Sequence, residues 1–190
     1  MKKIVSAALL ATAISTPAFA ADASNYYISA DFGSASYSNV TVAAGTYPNP
    51  GMFRIAAGYQ FSPTLGAEIG YTKFGDSSII IGTASGTIVA SSFQVAAVGT
   101  FPITPEFNLI AKAGLASNKQ SLDVKSSGIV TSSYAGSQSA LMVNLGAQYN
   151  FSPKFGLRVQ YENYGEFGPF GTTGKNMKAS TTSFGIVSYF

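Results

Sequence analysis

The chain reads as an all-β protein, an eight-stranded antiparallel up-and-down transmembrane β-barrel. Three observations predict this. Several segments alternate apolar and polar residues with a period of two. Their connections alternate between short proline-bearing turns and long Gly/Ser-rich loops. Aromatic residues gather at both ends of the apolar faces.

The alternation is clearest at 155–164, where Phe155, Leu157, Val159 and Tyr161 oppose Gly156, Arg158, Gln160 and Glu162. Phe53, Ile55, Ala57, Tyr59 and Phe61 oppose Arg54, Ala56, Gly58 and Gln60; Leu65, Ala67, Ile69 and Tyr71 oppose Gly66, Glu68, Gly70 and Thr72. Leu141, Val143, Leu145, Ala147, Tyr149 and Phe151 likewise oppose Met142, Asn144, Gly146, Gln148 and Asn150. The pattern predicts strands at 26–36, 52–61, 64–74, 87–101, 107–118, 139–151, 155–164 and 180–190. Most reach the roughly 9–11 residues that cross a bilayer when tilted.

After the second, fourth and sixth strands the links are short: Ser62-Pro63, then 102–106 with Pro102 and Pro105, then Ser152-Pro153-Lys154. Proline presets φ for a tight turn, and Ser is a favourable first turn residue. The remaining links, 37–51, 75–86, 119–138 and 165–179, are long and rich in Gly, Ser, Thr and Asn. Both termini then lie with the short turns, at the periplasmic end, and the long loops are extracellular. The hairpin from Tyr59 to Tyr71 recurs from Tyr149 to Tyr161, by duplication or by convergence on one turn chemistry.

In lipid an unpaired sheet edge costs several kcal/mol per group, so the strands must close. An eight-stranded barrel is only just wide enough for side chains to fill. If the polar face points inward it carries Asp31, Arg54, Glu68, Lys112, Arg158 and Glu162, three acids and three bases. Such charges pair when confined, which predicts a plugged lumen, with Gln60, Gln94, Asn144, Gln148 and Gln160 filling in. A gated conduction path stays open as the alternative; balanced charge offers no selective ring of one sign.

On the apolar face, Tyr26, Phe61, Phe101, Phe107, Phe151, Phe155 and Phe190 fall near the periplasmic ends, and Phe53, Tyr71, Tyr161 and Phe32 near the outer ends. They read as two interfacial girdles. A soluble ligand-binding barrel would invert the faces; the girdles, terminal Phe190 and lack of Trp argue against it.

Residues 1–20 read as a secretory signal peptide: Lys2 and Lys3, the apolar stretch 4–14, and Ala18-Phe19-Ala20 before the cut, leaving 21–190 as the barrel domain. Losing two of eleven basic residues leaves nine against eight acids, so charge marks no nucleic-acid binder. The chain has no Cys and no His, which removes disulfides, Cys nucleophiles and the usual His/Cys metal sites. No catalytic, cofactor or metal residues are expected.

The leader, the eight strands, the proline turns and Phe190 together resemble the small outer-membrane barrel family that includes the OmpA transmembrane domain and the OmpX/Ail and opacity-type proteins. The resemblance implies location in the outer membrane of a Gram-negative bacterium, insertion by the barrel-assembly machinery, and a monomer among outer-membrane lipid and lipopolysaccharide. Phe184, Ile186 and Phe190 match the terminal insertion signal, although Ser188 stands where an aromatic is usual. In that resemblance the barrel enzymes each depend on histidine, which points away from catalysis. Function then falls to the loops: aromatics such as Tyr37, Tyr47, Phe167 and Phe170 for a host or surface protein, and Lys175 and Lys178 for lipopolysaccharide phosphates. Two roles remain open, a structural or adhesive surface barrel and a small porin.

Overall fold

The computed structural model describes residues 25–38, 49–81, 84–126, 129–169 and 176–190. The segment expected to be a leader, and Lys175, Tyr47 and Phe170, lie outside these residues. The described residues form nine strand segments: β1 Tyr26–Ser38, β2 Gly51–Gln60, β3 Leu65–Phe74, β4 Ser77–Ile81, β5 Ala84–Pro102, β6 Phe107–Ser126, β7 Ile129–Asn150, β8 Phe155–Pro169 and β9 Asn176–Tyr189. β3 and β4 both pair with β5 and are successive parts of one stave, broken at Gly75-Asp76. Sequential antiparallel pairing, with β9 returning to β1, closes eight staves into a barrel.

The register gives the stagger. Walking sideways from Tyr26 leads through Tyr59, Ala67, Ala97, Ala113, Val143, Asn163 and Ser180 back to Ser36, ten residues along the starting strand. A shear of ten over eight strands corresponds to strands inclined about 40° to the barrel axis. The faces sort as the alternation implies. Ile28, Phe32, Ile55, Ile69, Val95, Leu145 and Phe184 are exposed on the outside, while Ser29, Asp31, Arg54, Glu68 and Gln94 are buried inside.

All three short turns share one chemistry. In 61–64 and 151–154 the hydroxyl of Ser62 or Ser152, just before a proline, accepts the N–H three residues on, from Leu65 or Phe155, each at 3.0 Å. Thr104 does the same for Phe107 across Pro105, at 3.0 Å. The proline supplies φ and the hydroxyl satisfies the donor that the turn leaves free.

Three of the expected long loops are corrected; in 165–179, residues 165–169 lie in β8 and 176–179 in β9. Most of 75–86 and 119–138 is strand, in β4, β5, β6 and β7. Ser117 on β6 lies opposite Phe93 at the outer girdle, so the strand beyond it to Ser126 carries the β6–β7 hairpin on the order of 20 Å past the membrane. Above the bilayer no lipid contacts the hairpin's outer face, where Ser133, Ala135 and Ser137 are exposed, so the apolar contrast that marks a membrane strand weakens.

Close approach of neighbouring strands fixes Gly114 on β6: a Cβ there would lie 2.1 Å from the Val95 carbonyl oxygen and 2.5 Å from the Ala96 Cα. Gly114→Val should lower unfolding stability in urea by roughly 1–3 kcal/mol through overpacking. Gly136→Val serves as the control, because a Cβ there meets nothing nearer than 3.8 Å, and its midpoint should not move.

Candidate functional site

The inward residues build a filled lumen in two halves. The lower half centres on Glu68 of β3. Lys112 Nζ donates to its Oε1 at 2.6 Å, Arg158 Nη1 to its Oε2 at 3.1 Å and Tyr27 Oη to its Oε2 at 2.9 Å, and Arg54 Nη2 also donates to Oε1. Three cations from β2, β6 and β8 thus converge on one carboxylate, which alone could not balance them. Asp31 on β1 takes up Arg54 Nη1 at 3.0 Å, and Glu162 on β8 lies 3.5 Å from Arg54 Nε. The six residues expected to form an internal charge network are therefore all buried and joined by five ion pairs.

Amides and phenols take up several of the remaining valences, while Asn144 Oδ1 and Glu162 Oε1 are buried without a hydrogen-bond partner. Gln148 Oε1 accepts Arg158 Nε and Nη2 at 3.0 and 2.9 Å, while its amide donates to Tyr189 Oη at 2.6 Å. Arg158 also sits 5.4 Å over the Tyr27 ring, a cation–π contact that covers the guanidinium from below. Gln160 donates to Asp31 at 3.1 Å and accepts from Asn144 at 3.2 Å. Gln60, also expected as a filler, stands half-buried at the periplasmic end of β2. Tyr164 gives its single proton to Glu162 Oε2 at 2.9 Å, so Thr72 donates to the Tyr164 oxygen at 3.0 Å and itself accepts from Gln94 at 2.9 Å. The result is a directed chain of donors ending on a carboxylate.

The upper half holds an apolar cluster, with Ser92, Asn118 and Gln120 buried beside it. Ala35, Met52, Phe74, Ile88, Ala90, Met142, Tyr164, Phe167, Met177 and Ala179 pack together inside the extracellular end, with Tyr37 and Leu122 against them. Phe74 meets Tyr164 and Phe167 edge-on, with centroids 5.4 and 5.5 Å away. Phe167 arrives there because β8 bends inward. Gly165 and Gly168 take φ of +69° and +95°, the left-handed region that suits glycine, and the register slips between Asn163 and Glu166 and again before Pro169. Asn118 of β6 fastens the bend: its Nδ2 donates to the carbonyls of Tyr164 and Glu166, each at 2.8 Å, and its Oδ1 accepts from Ser92 at 2.7 Å.

The sequence reading offered Phe167 as an exposed docking aromatic; it is instead wholly buried. Tyr37 is half-buried against the same cluster, and Lys119, Asp123 and Lys125 belong to β6 rather than to a loop. The apolar cap and Tyr27, Thr72, Asn118 and Tyr164 were missed. The parity of β3 does point Phe74 inward with Glu68 and Thr72, but the bulges at Gly165 and Gly168 move Phe167 off the parity of Glu162. Phe184 and Ile186 face outward and exposed on β9, and the Phe190 amide donates to the Tyr26 carbonyl at 3.1 Å. Lys178 is exposed on β9 and lies 3.6 Å from Glu166.

A closed, lipid-facing antiparallel barrel with paired charges inside defines an integral β-barrel membrane protein. The chain belongs to the outer membrane protein beta-barrel domain family, whose model it matches over residues 6–190. Among solved structures it is similar to neisserial surface protein A, at 22% identity and a TM-score of 0.66, with 88% of this chain and 98% of that one covered. It is also similar to Ail of Yersinia pestis solved with the heparin analogue sucrose octasulfate, at 17% identity and a TM-score of 0.57 over 88% of this chain and 97% of that one. The N-terminal β-barrel domain of OprF from Pseudomonas aeruginosa follows at 15% identity and a TM-score of 0.52, over 88% and 98% of the two chains. No curated protein matches the chain by sequence.

Removing one partner from the network should expose its energetics. Arg158→Ala leaves Glu68 one cation short and should destabilise by roughly 3–5 kcal/mol in urea unfolding from vesicles. Glu68→Gln leaves Lys112 and Arg158 without an acid partner, whereas after Asp31→Asn Arg54 keeps Glu68 and Glu162, so Glu68→Gln should lower the midpoint further. In the cap, Phe167→Ala should cost about 3–5 kcal/mol.

Proposed function

We propose that the protein is a non-enzymatic surface barrel of the outer membrane, acting by structure and by adhesion to host or surface molecules through its extracellular parts. The observation that carries this reading is the filled lumen. From Tyr27 to Phe167 its side chains are buried, joined by ion pairs below and by apolar contact above. Water-filled conduction needs a continuous polar path, and the cap interrupts one with methionine and aromatic side chains.

Activity then lies where the scaffold reaches beyond the membrane. The raised β6–β7 hairpin presents Ser121, Ser133 and Ser137 among Ala135 and Gly136. Hydroxyls and small residues on strands suit hydrogen-bonded recognition of a protein or glycan with little ordering cost. Ail's structure with a heparin analogue supports testing glycans first.

The experiment is single-channel recording of the refolded protein in a planar bilayer, with insertion verified in parallel. The expected record is silent, and replacing 119–137 by a short turn should abolish attachment of expressing cells to host surfaces. Regular openings from inserted protein would overturn this reading in favour of a small porin gated by the charge network.

A further inference from the structure

Among the described residues the outer face carries a row of unopposed positive charge. Lys73 of β3 lies opposite Ser91 of β5, and Ser91 lies opposite Lys119 of β6. Both lysines are exposed and Ser91 is half-buried. Alternation puts all three on the outside, because Thr72, Ser92 and Asn118 beside them are buried in the lumen. The next positions along the row, Phe53 and Ser137, are uncharged. Among the described residues the ion pair of the outer rim is Lys178 with Glu166, and Lys73 and Lys119 have no acid within ion-pair distance.

Height on the barrel says what these cations face. Two residues below Lys73 and Ser91 stand Tyr71 and Phe93, a register pair of the outer girdle, both exposed. Below them Ile69, Val95 and Leu115 continue the apolar band, also exposed. The row therefore starts where hydrocarbon ends. Neighbouring strands lie about 4.8 Å apart, so the two lysine Cα atoms are roughly 10 Å apart, and the strand inclination sets Lys119 several Å further out than Lys73.

We propose that Lys73, Ser91 and Lys119 form a clamp for the phosphates of a glycolipid headgroup in the outer leaflet, whose acyl chains lie on Ile69, Val95 and Leu115 below. Lysine binds phosphate as a point charge on a flexible stem, and the serine hydroxyl between two lysines supplies a directed donor. A soluble anion would use the cations and leave the apolar surface idle; a phosphorylated lipid uses both. The inference rests on the outer-membrane placement and is independent of whether the lumen conducts.

The test titrates diphosphoryl lipid A into phosphatidylcholine vesicles holding the refolded protein and follows the thermal unfolding midpoint. Wild type should be stabilised. Lys73→Gln or Lys119→Gln should each raise the half-saturating mole fraction about fivefold and the pair about 25-fold, at the ~1 kcal/mol of attraction that one basic residue contributes near an anionic surface. Midpoints in pure phosphatidylcholine should not change. Lys73→Arg with Lys119→Arg should retain the response, and Lys154→Gln in a periplasmic turn should not affect it. A double Gln variant that responds like wild type overturns the clamp. So does an equal shift from inorganic phosphate, which would mark a free-ion site, or from dephosphorylated lipid A, which would mark acyl packing alone.

Discussion

The constraint from which the rest follows is that hydrocarbon offers no partner to backbone N–H and C=O groups. Each stave must pair on both sides through the membrane, and the ring from β1 through β9 does so without an edge. Eight staves with a shear of ten then fix a narrow lumen, and every inward side chain must fit it. Where strands press close the inward position is glycine, as at Gly33 and Gly114; where space remains, long side chains fill it. Charges in such a place survive only when matched, which is why Glu68 draws Arg54, Lys112 and Arg158, and why Asp31 and Glu162 complete the neutral set.

The division of the lumen into a charged half and one holding an apolar cap has a physical logic. Water reaching the ion pairs would weaken them, and the cap of Met52, Phe74, Met142, Phe167 and Met177 stands between them and the extracellular side. Tyr164 belongs to both halves: its ring packs on Phe74 and its hydroxyl bonds Glu162. The inward bend of β8, fastened by Asn118, is therefore coupled to the network below it.

Much of this was legible in the residues. Period-two alternation marks the membrane parts of β2, β3, β7 and β8, because lipid on one side and packed polar groups on the other impose contrasting faces. The same parity marks the six inward charges. Which of them meet was not legible: Glu68 and Arg158 are 90 residues apart, and their encounter depends on the shear, a property of all eight pairings together. The raised ends of β6 and β7 read as loop because outside the membrane no lipid contacts the outer face and the apolar contrast weakens. Phe167 was misplaced because a bulge resets the parity on which the reading depends. The Lys73–Ser91–Lys119 row was likewise invisible, since its members are distant in sequence and become neighbours only through register.

The chain has no cysteine, so a single introduced thiol reports the state of the lumen cleanly. The most direct measurement is the labelling rate of Met142→Cys by a charged, membrane-impermeant thiol reagent in the folded, vesicle-embedded protein, compared with Ser137→Cys on the exposed hairpin. A sealed lumen predicts rapid labelling at 137 and none at 142 until the barrel is unfolded. Comparable labelling at both positions would show water passing the cap, and would contradict the closed, two-layered interior from which the functional reading is drawn.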